Sequence, residues 1–194
     1  MSKFDKVMQQ IKDEDVQYVD FRFTDVRGKM QHVTFDIDMV DIDLLEEGVA
    51  FDGSSIAGWK AINDSDMLMM PDPDSVTIDP FYQQTTLAIV CDVVTPGTLK
   101  PYNRCPRGIG KRAEAYIQSS GVGDTAYFGP EAEFFVFDDV RWNTDPNNTS
   151  YSFDSTELPY NTGKVYEGGN MGHRPGPKGG YFPVGPIEIG RAHV

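Results

Sequence analysis

Two runs near the N-terminus alternate so regularly that they leave the first part of the chain little choice of fold. VQYVDFRFTD (residues 16–25) puts Tyr18, Asp20, Arg22 and Thr24 on one face and Val19, Phe21 and Phe23 on the other; after VRGK the alternation resumes in MQHVTF. A period of two marks a half-buried strand. Two such runs joined by a short polar break make a β-hairpin, with Gly28 in its turn. A hairpin with one apolar face needs a second layer, and neighbouring segments supply it. Phe4, Val7, Met8 and Ile11 fall at helical spacing behind Ser2 as N-cap. Residues 38–48 (DMVDIDLLEEG) read as a helix ended by Gly48. MLMMPDPDSVTIDPF gives two short extended pieces separated by Pro71 and Pro73, and TTLAIVCDVV is a continuous β-branched strand. A small α+β domain over residues 1–103 is expected.

The Pro/Gly-rich stretch TPGTLKPYNRCPRG (residues 95–108) marks a boundary, and RGIGKRAEAYIQSSG after it reads as a helix ending at Gly121. GVGDTA (residues 121–126) therefore follows a helix, whereas a dinucleotide fingerprint follows a strand and opens a helix. Residues 141–163 are polar and read as aperiodic, a long loop or excursion. His173, in a glycine-rich stretch without phosphate-loop order, reads as solvated or bonded to backbone.

Thirty acidic residues against seventeen basic give a formal charge of −13, the wrong sign for wrapping nucleic acid or docking on an anionic membrane. No apolar signal core or run of about 18 apolar residues occurs, so a cytoplasmic protein is expected. Cys91 and Cys105 are too few for a disulfide framework and read as reduced thiols.

Three stretches could carry chemistry. In GPEAEFFVF (residues 129–137), Glu131 and Glu133 would share one strand face about 7 Å apart, calling for a metal, basic partners or open water. A solvated acidic edge is the alternative, and the flanking AYF and FFVF are apolar for an edge. In FDGSSIAGWKAINDSDMLMMPDPD (residues 51–74), a polar turn at Asp52, Gly53, Ser54 and Ser55 precedes Trp59 and the acidic Asp64 and Asp66. Such a loop either covers something or is an Asx turn whose apolar residues fold back on their own domain. In KGGYFPV, Lys178 suits a phosphate or carboxylate, or simply a turn entering a strand.

Together these pieces resemble bacterial-type (class I) glutamine synthetase. FDGSS, then eight residues, then DSDMLM matches that family's N-terminal signature, and GPEAEFF, EGGNMGHRP and KGGYFPV follow in the family's order, so the resemblance runs from Phe4 to Val184. It implies a β-grasp-like N-terminal domain followed by the start of the catalytic, ATP-guanido-like domain over residues 104–187. It also implies ATP-dependent ligation of ammonia to glutamate through γ-glutamyl phosphate, with Mg²⁺ or Mn²⁺. On the matching positions, Glu131 would help hold the ion on the ATP phosphates and Glu133 the ion nearer glutamate and ammonium. Asp52 would bind and deprotonate ammonium in the neighbouring subunit's site, with Ser55 beside it and Trp59 lining the shared site. The family assembles as a dodecamer of two hexameric rings.

The chain departs from the family's DPRSIAKRAE at Cys105, Gly108 and Gly110, and two glycines at a helix start cost about 1 kcal/mol each relative to Ala. After KGGYFPV the family continues PPVD, whereas this chain reads GPIEIGRAHV. Because EIGRAHV can be back-translated to a common sequencing-adapter sequence, residues 188–194 are expected to be a non-native tail and the chain an N-terminal fragment. The family's remaining metal ligands, ATP loop, glutamate-binding arginines and adenylylation tyrosine would then lie beyond it. Alternatives are a γ-glutamyl-amine ligase of the same superfamily and a non-catalytic assembly module of synthetase rings. With two carboxylates leaving each ion short of ligands, the purified 194-residue chain is expected to form no glutamine from glutamate, ammonium and ATP; more than a trace rate in a coupled ADP-release assay would overturn this.

Overall fold

The strand Thr86–Thr95 (TLAIVCDVVT) is apolar on both faces, as a strand flanked by others must be, and the first unit assembles around it. The computed structural model describes residues 2–132, 134 and 137–155. In chain order its elements are α1 (Phe4–Asp13), β1 (Tyr18–Thr24), β2 (Met30–Asp36), α2 (Ile42–Glu47), β3 (Val49–Asp52), β4 (Asp66–Pro71), β5 (Thr77–Ile78), β6 (Thr86–Thr95), β7 (Lys100–Pro101), α3 (Pro106–Ser120), β8 (Asp139–Asp145) and β9 (Asn148–Asp154). The sheet runs β2-β1-β6-β4-β3, with β5 and β7 also paired to β6. β1 and β6 are parallel and the remaining pairs antiparallel. The α+β expectation is met.

The hairpin forms as its alternation requires, from Tyr18 opposite Asp36 to Thr24 opposite Met30. Gly28 takes φ +81° in the turn, and the Asp25 carboxylate accepts the backbone N–H groups of Arg27 (2.8 Å) and Lys29 (3.0 Å). Val19, Phe21 and Phe23 enter a core shared with Val7 and Ile11 of α1, Leu45 of α2 and Met67, Met69, Leu87 and Ile89 of the inner strands. The cap of α1 falls at Lys3, one residue later than expected; the Ser2 hydroxyl still accepts from the Phe4 N–H at 3.3 Å and donates to Glu46 Oε1 at 2.5 Å. The segment 38–48 divides into a 3₁₀ turn (Ile37–Met39) and α2, because Asp41 is extended and accepts the Leu44 N–H at 2.8 Å as a new N-cap.

By packing, the chain divides into Met1–Ala126 and Tyr127–Val194. Composition changes near residue 103, but α3 stays with the first unit. Arg107 donates to Asp72 and, at 3.1 Å, to Asp92, which Lys111 also meets. The two glycines do not stop α3, which begins at Pro106, a favoured first helical residue. In the second unit, part of the stretch expected to be an irregular excursion is a hairpin, β8 and β9, with Asp145 opposite Asn148. Both strands do alternate: Val140, Trp142 and Thr144 lie opposite Phe153, Tyr151 and Thr149, while the other face is polar throughout. Arg141 crosses that polar face to Asp139 (2.5 Å) and the buried Asp154 (2.9 Å). No helix among the described residues is long and apolar enough to cross a membrane.

Asp20, on the polar face of β1, is only 1 % exposed. It accepts from Arg22 Nε (2.6 Å), Thr34 Oγ1 (2.7 Å) and His32 Nδ1 (2.7 Å), and Arg22 also reaches Asp79 (2.6 Å). Burial pushes its pKa up, but the bonds from Thr34, Arg22 and His32 outweigh burial and leave it below the usual carboxylate range. A carboxyl depressed on folding stabilises the fold above its unfolded pKa, and the contribution is lost as pH falls through the folded value. Asp20→Asn should therefore cost about 3 kcal/mol in urea unfolding at pH 7. The deficit should shrink below about pH 4, and one that stayed constant down to pH 2.5 would count against an ionised Asp20.

Candidate functional site

Asp52 is the last residue of β3, hydrogen-bonded in register opposite Asp66, the first residue of β4. The loop between them thus leaves and re-enters the sheet at fixed points. It opens with a 3₁₀ turn, Gly53–Ser55, capped by the Asp52 carboxylate, which accepts the Ser54 N–H at 2.8 Å and the Ser54 hydroxyl at 2.6 Å. The Ser54 hydroxyl bond is the largest of several that hold the exposed Asp52 below the usual carboxylate range. These bonds favour the ionised form of Asp52. Ser54 makes both bonds, at the Asp–Ser spacing of the Asx turn that is one of the two readings of this loop.

Gly53 is required by space. A Cβ there would lie 2.5 Å from Met67 Cγ and 3.0 Å from the Ser65 carbonyl oxygen, which already accepts the Gly53 N–H at 2.7 Å. Beyond the turn the chain dives inward. Ile56 is buried and Trp59 is 5 % exposed, its ring 5.3 Å from Phe23, 6.2 Å from Phe51 and 5.2 Å from Tyr102. Between covering something and folding back, the apolar residues of this loop fold back on their own domain, while Asp52 and Ser55 face outward. Those two residues border a shallow cleft of about 220 Å³ whose lining includes Gln31 and His32 of β2 and the apolar Phe23 and Phe51. A fixed anion beside an apolar wall suits a small cation. Of the other acidic residues, Asp64 is engaged by Lys60 at 2.7 Å.

Glu131 is exposed and outside any strand, and Glu133 lies outside the described residues. The expected strand is absent over residues 129–132, where no neighbouring strand pairs with the chain, and Tyr127 and Phe128 before it are 93 % and 88 % exposed. A strand without a hydrogen-bonded neighbour has nothing to hold its extended backbone. Among the described residues no group of three His, Cys, Asp or Glu comes together that could hold a metal ion. His173 and Lys178 also lie outside the described residues.

Comparison with known proteins places this loop in context. Residues 15–96 match the family model described as glutamine synthetase, beta-Grasp domain, and residues 103–192 the glutamine synthetase catalytic domain. The chain belongs to the glutamine synthetase family. It is 65 % identical over 182 residues to a Bradyrhizobium diazoefficiens glutamine synthetase, covering 94 % of this chain and 39 % of that one. Over 190 residues it is 59 % identical to the Azospirillum brasilense enzyme, covering 98 % and 41 %. A 3-hydroxylaminophenol mutase of Cupriavidus pinatubonensis is 58 % identical over 182 residues, 94 % of this chain and 39 % of that protein. The chain thus spans about two fifths of the length of these relatives. A Plasmodium falciparum glutamine synthetase, 24 % identical, shares the fold at a TM-score of 0.69 over 98 % of this chain and 38 % of its own. In family terms the fold is a β-grasp domain followed by the start of the catalytic domain.

Because Gly53 sits against the fully buried Met67, Gly53→Ala must displace either the loop or the core. It should lower stability by about 1–3 kcal/mol and red-shift Trp59 emission in a Trp142→Phe background; unchanged stability and emission would mean the loop has slack.

Proposed function

We propose that this chain contributes the ammonium-handling loop and the first divalent-ion ligands of a glutamate–ammonia ligase, in which ATP activates the γ-carboxylate of glutamate and ammonia then displaces phosphate. The observation that carries the reading is Asp52: an exposed carboxylate, kept anionic by Ser54, on a loop locked by Gly53 and Trp59 in a chain of the glutamine synthetase family. A fixed anion attracts ammonium over neutral ammonia and can accept the proton ammonium must lose before it becomes a nucleophile. Ser55, beside it on the cleft, offers a hydroxyl to the same cation. Trp59, expected to line a shared site, is buried within its own domain, so its contribution is made from beneath, by fixing the loop.

Asp52 and Ser55 face away from their own domain, which supports a site completed by a second subunit of a homo-oligomer, in this reading a dodecamer of two hexameric rings. Glu131 and Glu133 are assigned one ligand position each, Glu131 toward the ion on the ATP phosphates and Glu133 toward the ion near glutamate. The exposed Glu131 offers carboxylate oxygens, the donors that Mg²⁺ or Mn²⁺ prefer. When bound, such ions would neutralise charge on the transferring phosphoryl group. The described residues alone do not make up an ion's ligand set, and the steps assigned to Asp52 and Ser55 do not depend on one. The acidic excess of the chain fits a cytoplasmic setting, which is part of this reading.

The test is a chimaera in which this chain replaces the matching segment of the Bradyrhizobium diazoefficiens relative. It should form glutamine with dependence on both ATP and ammonium, and Asp52→Asn should lower kcat/KM for ammonium about 100-fold or more. Since the Asp52 pKa is depressed, its protonation should not limit the rate anywhere between pH 6 and 8. An inactive chimaera, or an Asp52→Asn form with intact ammonium dependence, would overturn the proposal.

A further inference from the structure

The Asp52 loop is fixed at its ends by the sheet and at its start by Gly53, but its far side is held by two side chains from the connector before α3. The Tyr102 hydroxyl donates to the Trp59 carbonyl at 2.8 Å, and Arg104 Nη1 donates to the Gly58 carbonyl at 2.5 Å and the Trp59 carbonyl at 3.5 Å. Gly58 adopts φ +81°, so its peptide is turned into a conformation that an ordinary residue would strain to take. The Tyr102 half of the clamp is itself anchored in the core. Tyr102 is buried, its N–H bonds to the Val93 carbonyl of β6 at 2.8 Å, and its carbonyl accepts the Cys105 N–H at 3.1 Å. Cys105, fully buried, in turn accepts the Ile109 N–H at 3.0 Å, which ties the clamp to the first turn of α3. The Tyr102 ring also lies against the Trp59 ring, with the Lys60 ammonium 5.9 Å over its other neighbourhood.

The buried Trp59 Nε1 has no hydrogen-bond partner among the described residues, so part of what ring burial gains is lost to an unsatisfied polar group. The three bonds to the Gly58 and Trp59 carbonyls add to what holds the loop down. We propose that Tyr102 and Arg104 are positioning residues for ammonium binding: by gripping the Gly58 and Trp59 carbonyls they set where Asp52 and Ser55 stand on the cleft. They act through the loop and touch no substrate. The assignment rests on the reading of Asp52 as the ammonium ligand, and it makes the geometry of that ligand depend on the junction between the β-grasp sheet and α3.

The experiment uses the same chimaera carrying Tyr102→Phe, which keeps the ring and deletes only the hydroxyl, and Arg104→Met, which keeps the stem and deletes the donors. Loss of the Tyr102 bond, or of the Arg104 bonds, should raise KM for ammonium about three- to tenfold, with kcat at saturating ammonium within about twofold and KM for ATP unmoved. Amide hydrogen exchange over residues 53–60 should quicken in both, and Arg104→Lys should recover part of the ammonium effect. Unchanged exchange over residues 53–60 would overturn the clamp. So would a fall in kcat and melting temperature with ammonium KM unmoved, since that is the mark of a merely structural role. If the unmutated chimaera makes no glutamine, the ammonium reading of Asp52 fails, while the exchange measurement still decides whether Tyr102 and Arg104 hold the loop.

Discussion

A carboxylate on a surface loop is useful as a fixed charge only if the loop cannot wander, and here that condition rests on burying one indole. Trp59 packs against Phe23 from β1, Phe51 from β3 and Tyr102 from the connector, so three separate segments meet on one side chain. Removing a buried Trp ring costs about 3–5 kcal/mol. That exceeds the cost of about 1–3 kcal/mol for an indole N–H left without a partner, so the ring stays in. With the ring in, Gly53 is drawn against Met67 and Ser65 so closely that no side chain fits. Asp52 is then left pointing outward, with Ser54 as its immediate partner.

The acidic excess of the chain is handled differently inside and outside. Asp20, interior to the sheet, is surrounded by Arg22, His32 and Thr34 and remains ionised because those donors outweigh desolvation. Asp72 and Asp92 share Arg107, Asp92 also meets Lys111, and these ion pairs hold α3 to the sheet although its composition belongs to the next segment. Among the described residues Asp52 has no such cation bonded to it; its ionised form is stabilised by hydroxyl and amide donors that carry no net charge. It therefore keeps its attraction for a cation from outside, which an Arg partner would have cancelled. The fully buried Cys91, with its pKa pushed up to about 12 by burial, is an inert core thiol beside this arrangement.

Much of the fold could be read before the coordinates. Period-two runs gave β1, β2 and the intervening turn, the prolines at 71 and 73 separated β4 from β5, and Gly48 and Gly121 ended their helices. The hairpin of β8 and β9 was missed although its alternation is present, because aromatic positions there are interleaved with Asp, Asn, Ser and Arg in a segment of low mean hydropathy. Its aromatic face is exposed in the described residues, so apolar burial was the wrong signal and cross-strand pairing the right one. Glu131 erred the other way: an apolar run suggested a strand, but strand structure needs a neighbour, which no local pattern supplies.

By itself the sequence determined to which family the chain belongs, because motif spacing and side-chain type are local properties written directly in the order of residues. It also determined the strand faces, since alternation is set by backbone geometry. Only the tertiary structure decided that Trp59 turns inward, and that Tyr102 and Arg104 reach back across more than forty positions to hold the loop. Those outcomes depend on which distant groups share the same few ångströms of space, and contact at that range is fixed by packing and not by sequence neighbourhood.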